Sequence, residues 1–168
     1  MTAIETLLAG DHAELDELLD SVFVSLGEGS TTRAYDRLDL FWARLAMHIR
    51  AEHLHLFPAV LKICESEAVS DVPEILERLR RDHDLFMHEL ADAIKSMRGV
   101  TPETEPDVRL EVLRRLENVR DRLAEHNTIE EDRIYGLRRF LSPGDQEKLA
   151  RSLAKELANL PPRIAKSQ

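Results

Sequence analysis

The sequence predicts an all-α protein: an up-down-up-down four-helix bundle followed by a short fifth helix. Apolar residues recur at alternating steps of three and four along most of the chain, which is the period of an amphipathic helix. Gly and Pro cluster only between these periodic stretches, and strand-like alternation is absent. Long periodic segments joined by short breaks favour antiparallel packing in a bundle.

The first hairpin is predicted from the two periodic stretches before residue 67. The first helix should run from about Thr2 to Leu26, and the second should start after residues 30–32. Pro58 is expected to kink the second helix, because proline removes a backbone donor and crowds the preceding turn. The inward stripe of the first helix includes His12, and that of the second includes His48, Glu52 and His55.

The second hairpin and the C-terminal helix follow the same pattern. The third helix should open near residues 71–74 with a proline in its first turn, and the fourth should follow the break at 99–106. Ser142 predicts the N-cap of a fifth helix that continues to about Leu160 and is closed by two prolines. We therefore divide the chain into a bundle, residues 1–141, and a C-terminal helix and tail, residues 142–168, packed on or trailing the bundle.

Composition narrows the classes of partner. Lys and Arg total 23 against 32 Asp and Glu, and the net charge of −9 argues against nucleic acid and anionic membranes. The N-terminal residues lack the features of a signal peptide, and no apolar run is long enough to span a bilayer, so a cytoplasmic protein is expected. Cys64 is the one cysteine, which excludes a disulfide or an all-thiolate metal site within one chain.

Polar residues on the inward stripes form a candidate metal site. His48 and Glu52, and again His126 and Glu130, are four residues apart, which places both groups of each pair on one helix face. Counting along the hairpins brings four histidines to one level of the bundle. Buried carboxylates there need cations, because unpaired buried charge carries a large desolvation cost. The predicted ligands are His12, His48, Glu52, His83, His126 and Glu130.

The half-site occurs twice along the chain. Asp11-His12 matches Asp82-His83 at an offset of 71, and the two His-x-x-x-Glu pairs repeat at an offset of 78. Two such hairpins about a pseudo-two-fold axis supply two histidines and one carboxylate each. This suits two metal ions about 3.5–4 Å apart with both carboxylates bridging.

Nitrogen and oxygen donors without thiolate favour iron, manganese or zinc. We predict two iron ions as the cofactor, because imidazoles beside bridging carboxylates with open positions suit redox-active non-haem iron. Zinc and manganese stay open as alternatives.

The chain resembles the hemerythrin-like, or HHE cation-binding, family over about residues 5 to 140. Residues 48–58 follow the family pattern His-x-x-x-Glu-Glu-x-x-Leu-Phe-Pro closely, and residues 126–135 form its second copy. The resemblance implies a non-haem di-iron centre in a four-helix bundle. Oxygen carriers place a second histidine where this chain has Met87 and an aspartate where it has Glu131. The ligand pattern is more similar to iron–sulfur cluster repair di-iron proteins and to iron-sensing hemerythrin domains.

Several neighbouring residues have expected roles outside the ligand set. Glu52-x-x-His55 matches ferritin-like carboxylate bundles, but no second Glu-x-x-His exists, so His55 is interpreted as a channel or supporting residue. Asp11 and Asp82 are candidates for orienting imidazoles, or for a place on the helix surface. His53 and His88 lie off the stripes and are interpreted as solvated or supporting residues. Glu131 is interpreted in the same way, with replacement of Glu130 as ligand as the alternative. Tyr135 is expected to pack in the core rather than to act as a redox relay.

The function expected from these residues is a di-iron protein that reacts with or senses dioxygen, peroxide or nitric oxide. Such a small ligand is the expected partner, a homodimer is left open, and no separate catalytic residue is assigned. Whether the protein turns over a substrate is undecided. The alternatives are an iron-binding sensor or storage module without turnover, and a structural zinc bundle.

Overall fold

A computed structural model describes residues 3–67 and 69–165, and within these ranges the chain forms helices and turns without a strand. The helices are α1 Ala3–Gly27, α2 Thr31–Ala51, α3 Phe57–Glu67, α4 Val72–Arg98, α5 Glu105–Ile129, α6 Pro143–Leu157 and α7 Pro162–Ala165. The predicted helix start at Thr2 and the last residues of the tail, 166–168, lie outside the described residues.

Four long helices form the bundle in an up-down-up-down order. α1 packs against α2 and α4 packs against α5, while α2 against α4 and α1 against α5 join the two hairpins. The all-α fold class is confirmed. No helix in the described part of the chain has the length and apolarity needed to cross a bilayer.

The core is divided into two apolar clusters with a polar layer between them. One cluster joins the second half of α1 to α2, and also contains residues of α4 and α5, such as Leu90 and Leu116. The other joins the start of α1 to α3 and α6 and includes Leu8 and Leu76. The buried histidines interrupt the apolar stripes where one cluster gives way to the other. This position sets the polar layer apart from water on both sides.

Both helices that carry a His-x-x-x-Glu pair widen at the glutamate. A π-helical segment, Glu52–Leu56, joins α2 to α3, and a second, Glu130–Ile134, follows α5 and leads into a 3₁₀ turn, Tyr135–Phe140. The predicted effect of Pro58 is therefore not a simple kink. The second segment has Gly136 at the equivalent place, so proline is not required for the widening. π-helical turns of this kind are common at functional sites.

The C-terminal helix packs on the bundle. The Ser142 hydroxyl accepts a hydrogen bond from the Asp145 backbone N–H at 3.2 Å, as the predicted N-cap requires. α6 ends at Leu157, earlier than the predicted end near Leu160, and Pro162 opens the short α7. α6 contacts α1, α2 and the first π-helical segment, and it buries Leu149 and Leu153.

Candidate metal centre

The structure brings all of the predicted ligands together in the polar layer. Their residues are between 0 and 4 % exposed: His12, His48, Glu52, His83, His126 and Glu130. They form two overlapping groups that share both glutamates, and within each group the candidate ligand atoms lie within 4.8 Å of one another. One group takes its imidazoles from the α1–α2 hairpin and the other from the α4–α5 hairpin.

The first group, the His12–His48 half-site, is built around two facing ring nitrogens. The Nε2 atoms of His12 and His48 lie 3.1 Å apart. Glu52 Oε1 lies 3.4 Å from His48 Nε2, and Glu130 Oε2 lies 3.3 Å from His12 Nε2. Two nitrogens and two oxygens therefore face one point.

The second group, the His83–His126 half-site, repeats this arrangement. The Nε2 atoms of His83 and His126 lie 2.9 Å apart. Glu52 Oε2 lies 3.4 Å from His83 Nε2, and Glu130 Oε1 lies 3.1 Å from His126 Nε2. Each glutamate thus directs one oxygen to each half-site, which is the geometry of a bridging carboxylate.

Aspartates hold the imidazoles of α2 and α5 from behind. His48 Nδ1 lies 2.8 Å from Asp11, and His126 Nδ1 lies 3.5 Å from Asp82. Arg44 donates to Asp11 at 2.8 Å, and Arg122 donates to Asp82 at 2.9 and 2.5 Å. A carboxylate behind an imidazole fixes its tautomer and ring orientation. The expected orienting role of the two aspartates therefore has the contacts it needs.

The residues that follow the two glutamates hold the other imidazoles. His12 Nδ1 lies 2.9 Å from Glu131 Oε1, and His83 Nδ1 lies 2.9 Å from His53 Nε2. Glu131 and His53 occupy equivalent places 78 residues apart in the repeat. All four Nδ1 atoms thus have a polar partner, and the four Nε2 atoms are the ring nitrogens that face the centre.

Tyr135 is the residue of the site that the sequence-based interpretation missed. Its hydroxyl lies 3.1 Å from His12 Nε2 and 3.3 Å from one oxygen each of Glu52 and Glu130, and the residue is 1 % exposed. A signal was available in the repeat, where Tyr135 aligns with Phe57 one residue beyond each π-helical segment.

Burial and neighbouring charges shift the ionisation of the site in the metal-free protein. Burial raises the pKa of Glu52, and the Glu130 carboxylate adds to that effect. Burial also acts to raise the pKa of Glu130, but the neighbouring imidazoles of His12 and His126 outweigh it and hold that pKa well below its ordinary value. Burial raises the pKa of Tyr135 well above its usual value, reinforced by both carboxylates, so this phenol is protonated.

Burial lowers the pKa of His83 to about 2, so this ring is neutral and its nitrogen lone pair is free to bind a cation. Burial lowers the pKa of His48 as well, but the Glu52 carboxylate and the hydrogen bond to Asp11 outweigh it and hold that pKa well above the ordinary 6.5. A cation entering the centre must therefore displace a proton from His48.

The donor set and its spacing fit a pair of first-row transition-metal ions. Metal bonds of about 2.1 Å at right angles place neighbouring ligand atoms about 3 Å apart, close to the separations within each half-site. Glu52 Oε2 and Glu130 Oε1 are buried and make no hydrogen bond of suitable geometry within the described residues. Such oxygens carry a large cost unless a cation satisfies them.

The remaining residues singled out from the sequence lie outside the cluster. His55 is half-buried and its Nε2 lies 3.8 Å from Glu156 of α6, so it does not complete a ferritin-like site. His88 is exposed, and its Nδ1 lies 2.7 Å from the Asp84 carbonyl on its own helix. Arg133, three residues after Glu130, is exposed and pairs with Asp71.

The four-helix bundle, the two histidine pairs and the shared glutamates place this protein in the class of helical cation-binding proteins. Comparison with protein families agrees: residues 3–137 match the model of the hemerythrin HHE cation-binding domain. The match spans most of the chain, and the protein belongs to this family. No match was found among curated proteins or among solved structures.

Proposed function

We propose that the chain binds two iron ions, one at each half-site, and uses them to react with or sense dioxygen, peroxide or nitric oxide. The observation that carries this proposal is the position of the two buried carboxylates between the histidine pairs. Glu52 and Glu130 each direct one oxygen to the His12–His48 pair and the other oxygen to the His83–His126 pair. The proposed ligands are the six residues predicted from the sequence. Iron bound there supplies one-electron redox chemistry and coordination positions for a small ligand.

The surroundings of the ligands support a small reactant. Both glutamates are fully buried and the four histidines nearly so, which excludes bulk water from the centre. Two open surface grooves among the described residues are lined by other side chains, one by Asp71 with Arg81 and one by Leu54 with Lys62. A buried centre of this kind admits a diatomic molecule or peroxide more readily than a bulky substrate.

Reconstitution with ferrous iron tests the proposal. We expect the metal-free protein to take up two iron ions per chain, and its visible spectrum to change when hydrogen peroxide or nitric oxide is added. An iron-loaded protein whose spectrum is inert to dioxygen, peroxide and nitric oxide would contradict the proposed reactivity. Glu125→Ala removes a carboxylate outside the centre, because Glu125 is exposed on α5 and pairs with Arg78. This control variant should take up iron as the wild type does.

A sensing module without turnover is the second candidate. Aspartate and arginine behind the imidazoles tie the ligands to all four helices of the bundle, so metal occupancy is coupled to the stability of the fold. This candidate predicts a large loss of stability on metal removal and no catalytic consumption of peroxide. Storage is disfavoured, since a centre with two half-sites holds few ions. Purification with zinc alone after growth on excess iron would instead favour a structural zinc bundle.

A further inference from the structure

The two half-sites differ in the aromatic ring that covers each of them. Phe57 and Tyr135 occupy equivalent places in the repeat, each donating its backbone N–H to the carbonyl of the glutamate that opens the preceding π-helical segment. The Phe57 ring stacks on His83 with centroids 5.9 Å apart, and the Tyr135 ring lies 5.8 Å from His12. Each ring therefore covers one half-site, but only Tyr135 brings an oxygen atom.

That oxygen faces the His12–His48 half-site. Its neighbours are His12 Nε2, Glu52 Oε1 and Glu130 Oε2, which are the atoms that face this half-site. The carboxylate oxygens that face the other half-site, Glu52 Oε2 and Glu130 Oε1, make no hydrogen bond within the described residues. The phenol thus adds one polar atom to the His12–His48 half-site. The His83–His126 half-site has no equivalent oxygen, because Phe57 occupies that place.

The distances from the Tyr135 oxygen to its polar neighbours match those between ligands of a single metal ion. The Tyr135 oxygen lies 3.1 to 3.3 Å from its three polar neighbours, in the same range as the separations between His12, His48 and the carboxylates. Ligand atoms at right angles around one first-row ion are about 3 Å apart. A hydroxyl at hydrogen-bonding distance from three proposed ligand atoms is also close enough to their shared ion to bind it directly.

The geometry points to Tyr135 as a fifth protein ligand of the ion in the His12–His48 half-site, a role that rests on the proposed di-iron function. On binding ferric iron, the phenol O–H bond breaks, an oxygen–iron bond forms and the proton passes to the buffer, with no change in oxidation state. The ion in the His83–His126 half-site has four protein donors instead of five. The two irons are therefore chemically different, and the half-site beneath Phe57 is the one left open to a small ligand.

The test compares visible, resonance Raman and Mössbauer spectra of the ferric protein with those of Tyr135→Phe. We expect the wild type to show a tyrosinate-to-iron charge-transfer band, enhanced tyrosine ring modes and two iron signals in equal amounts. In Tyr135→Phe the band and ring modes should vanish while two irons per chain are retained. The chain has one other tyrosine, Tyr35, whose hydroxyl accepts a hydrogen bond from Arg98. Tyr35→Phe is therefore the matched control and should keep the band.

The double variant Phe57→Tyr with Tyr135→Phe moves the phenol to the other half-site and should restore the band. A wild type that holds two irons without the band, or a Tyr135→Phe protein that keeps it, overturns the inference and leaves the di-iron proposal intact. A wild type that takes up no iron overturns both. Far-ultraviolet circular dichroism and melting of Tyr135→Phe establish that loss of the band reflects loss of the ligand and not of the fold.

Discussion

The Nδ1 atom of His48 lies 2.8 Å from a carboxylate oxygen of Asp11, whose other oxygen accepts a hydrogen bond from Arg44 at 2.8 Å. The α5 imidazole has the same support in Asp82 and Arg122. Because Asp11 directly precedes His12, one residue of α1 orients the ligand of α2 while its neighbour supplies the other ligand. Within the hairpin, α1 therefore both supplies one imidazole and orients the other, while Glu131 of the second hairpin supports His12.

Removing the charge behind His48 should weaken one half-site. We expect Asp11→Asn to lower affinity for the metal of the His12–His48 half-site by about 10- to 100-fold, which is the usual effect of losing such a supporting partner. Calorimetric or spectroscopic metal titration should show one weakened and one unchanged binding event. Asp20→Asn, an exposed position on the same helix, is the control. Equal weakening of both events would contradict the assignment of Asp11 to one half-site.

Removing a shared carboxylate should affect both ions. Glu52→Ala and Glu130→Ala should each reduce metal occupancy at both half-sites, because each glutamate directs one oxygen to each of the two histidine pairs. Elemental analysis after reconstitution measures the metal content. Retention of one full equivalent of metal in either variant would show that the carboxylate serves a single ion. Glu125→Ala should match the wild type.

Metal binding should depend on pH through the histidines. The Glu52 carboxylate and the Asp11 hydrogen bond overcome the effect of burial and hold the pKa of His48 above 6.5, so its protonation stabilises the metal-free fold below that pH. This contribution is lost as pH rises through the higher folded-state pKa. A metal ion needs the neutral ring, so the gain in melting temperature on metal binding should grow as the pH rises above about 6.5 and through the higher folded-state pKa.

Thermal melts of metal-free and metal-loaded protein across this range measure the effect. His88→Ala should give the same profile, because His88 is exposed and its Nδ1 faces a carbonyl of its own helix. A gain in melting temperature that does not change with pH would show that protons and metal do not compete at His48.

The C-terminal helix should contribute to the stability of the bundle. Leu153 of α6 is fully buried in the cluster that also contains Leu56 and Tyr135. We expect Leu153→Ala to lower the free energy of unfolding by about 2–5 kcal/mol, as is usual for a buried leucine. Leu110→Ala, at a residue that is 53 % exposed on α5, should change it by less than about 0.5 kcal/mol. Urea denaturation compares the two, and equal effects would indicate that α6 is a detached tail.

The helices and the histidine levels could be predicted because both follow from the period of 3.6 residues. Leu8, His12 and Leu15 fall on one stripe of α1, and all are buried. The same period also explains what was missed. In an α-helix, a residue five positions on lies about 140° around the axis, so an unbroken α5 would direct Tyr135 away from the face of Glu130.

The π-helical segments change that angle. Their hydrogen bonds join each residue to the fifth one on, so Tyr135 follows Glu130 by about one turn and faces the same centre. Neither Glu52–Leu56 nor Glu130–Ile134 contains a glycine or proline that would mark such a turn in the sequence. Contacts between hairpins, such as His12 with Glu131, were also beyond prediction, because they depend on how the helices are rotated against each other.

The central claim is that this layer holds two iron ions between the two hairpins. Elemental analysis of freshly purified protein, with an optical spectrum of the same sample, tests it most directly. We predict two irons per chain and absorption that is lost on chelation. A protein that carries one ion per chain, or zinc alone after growth on excess iron, would contradict the claim.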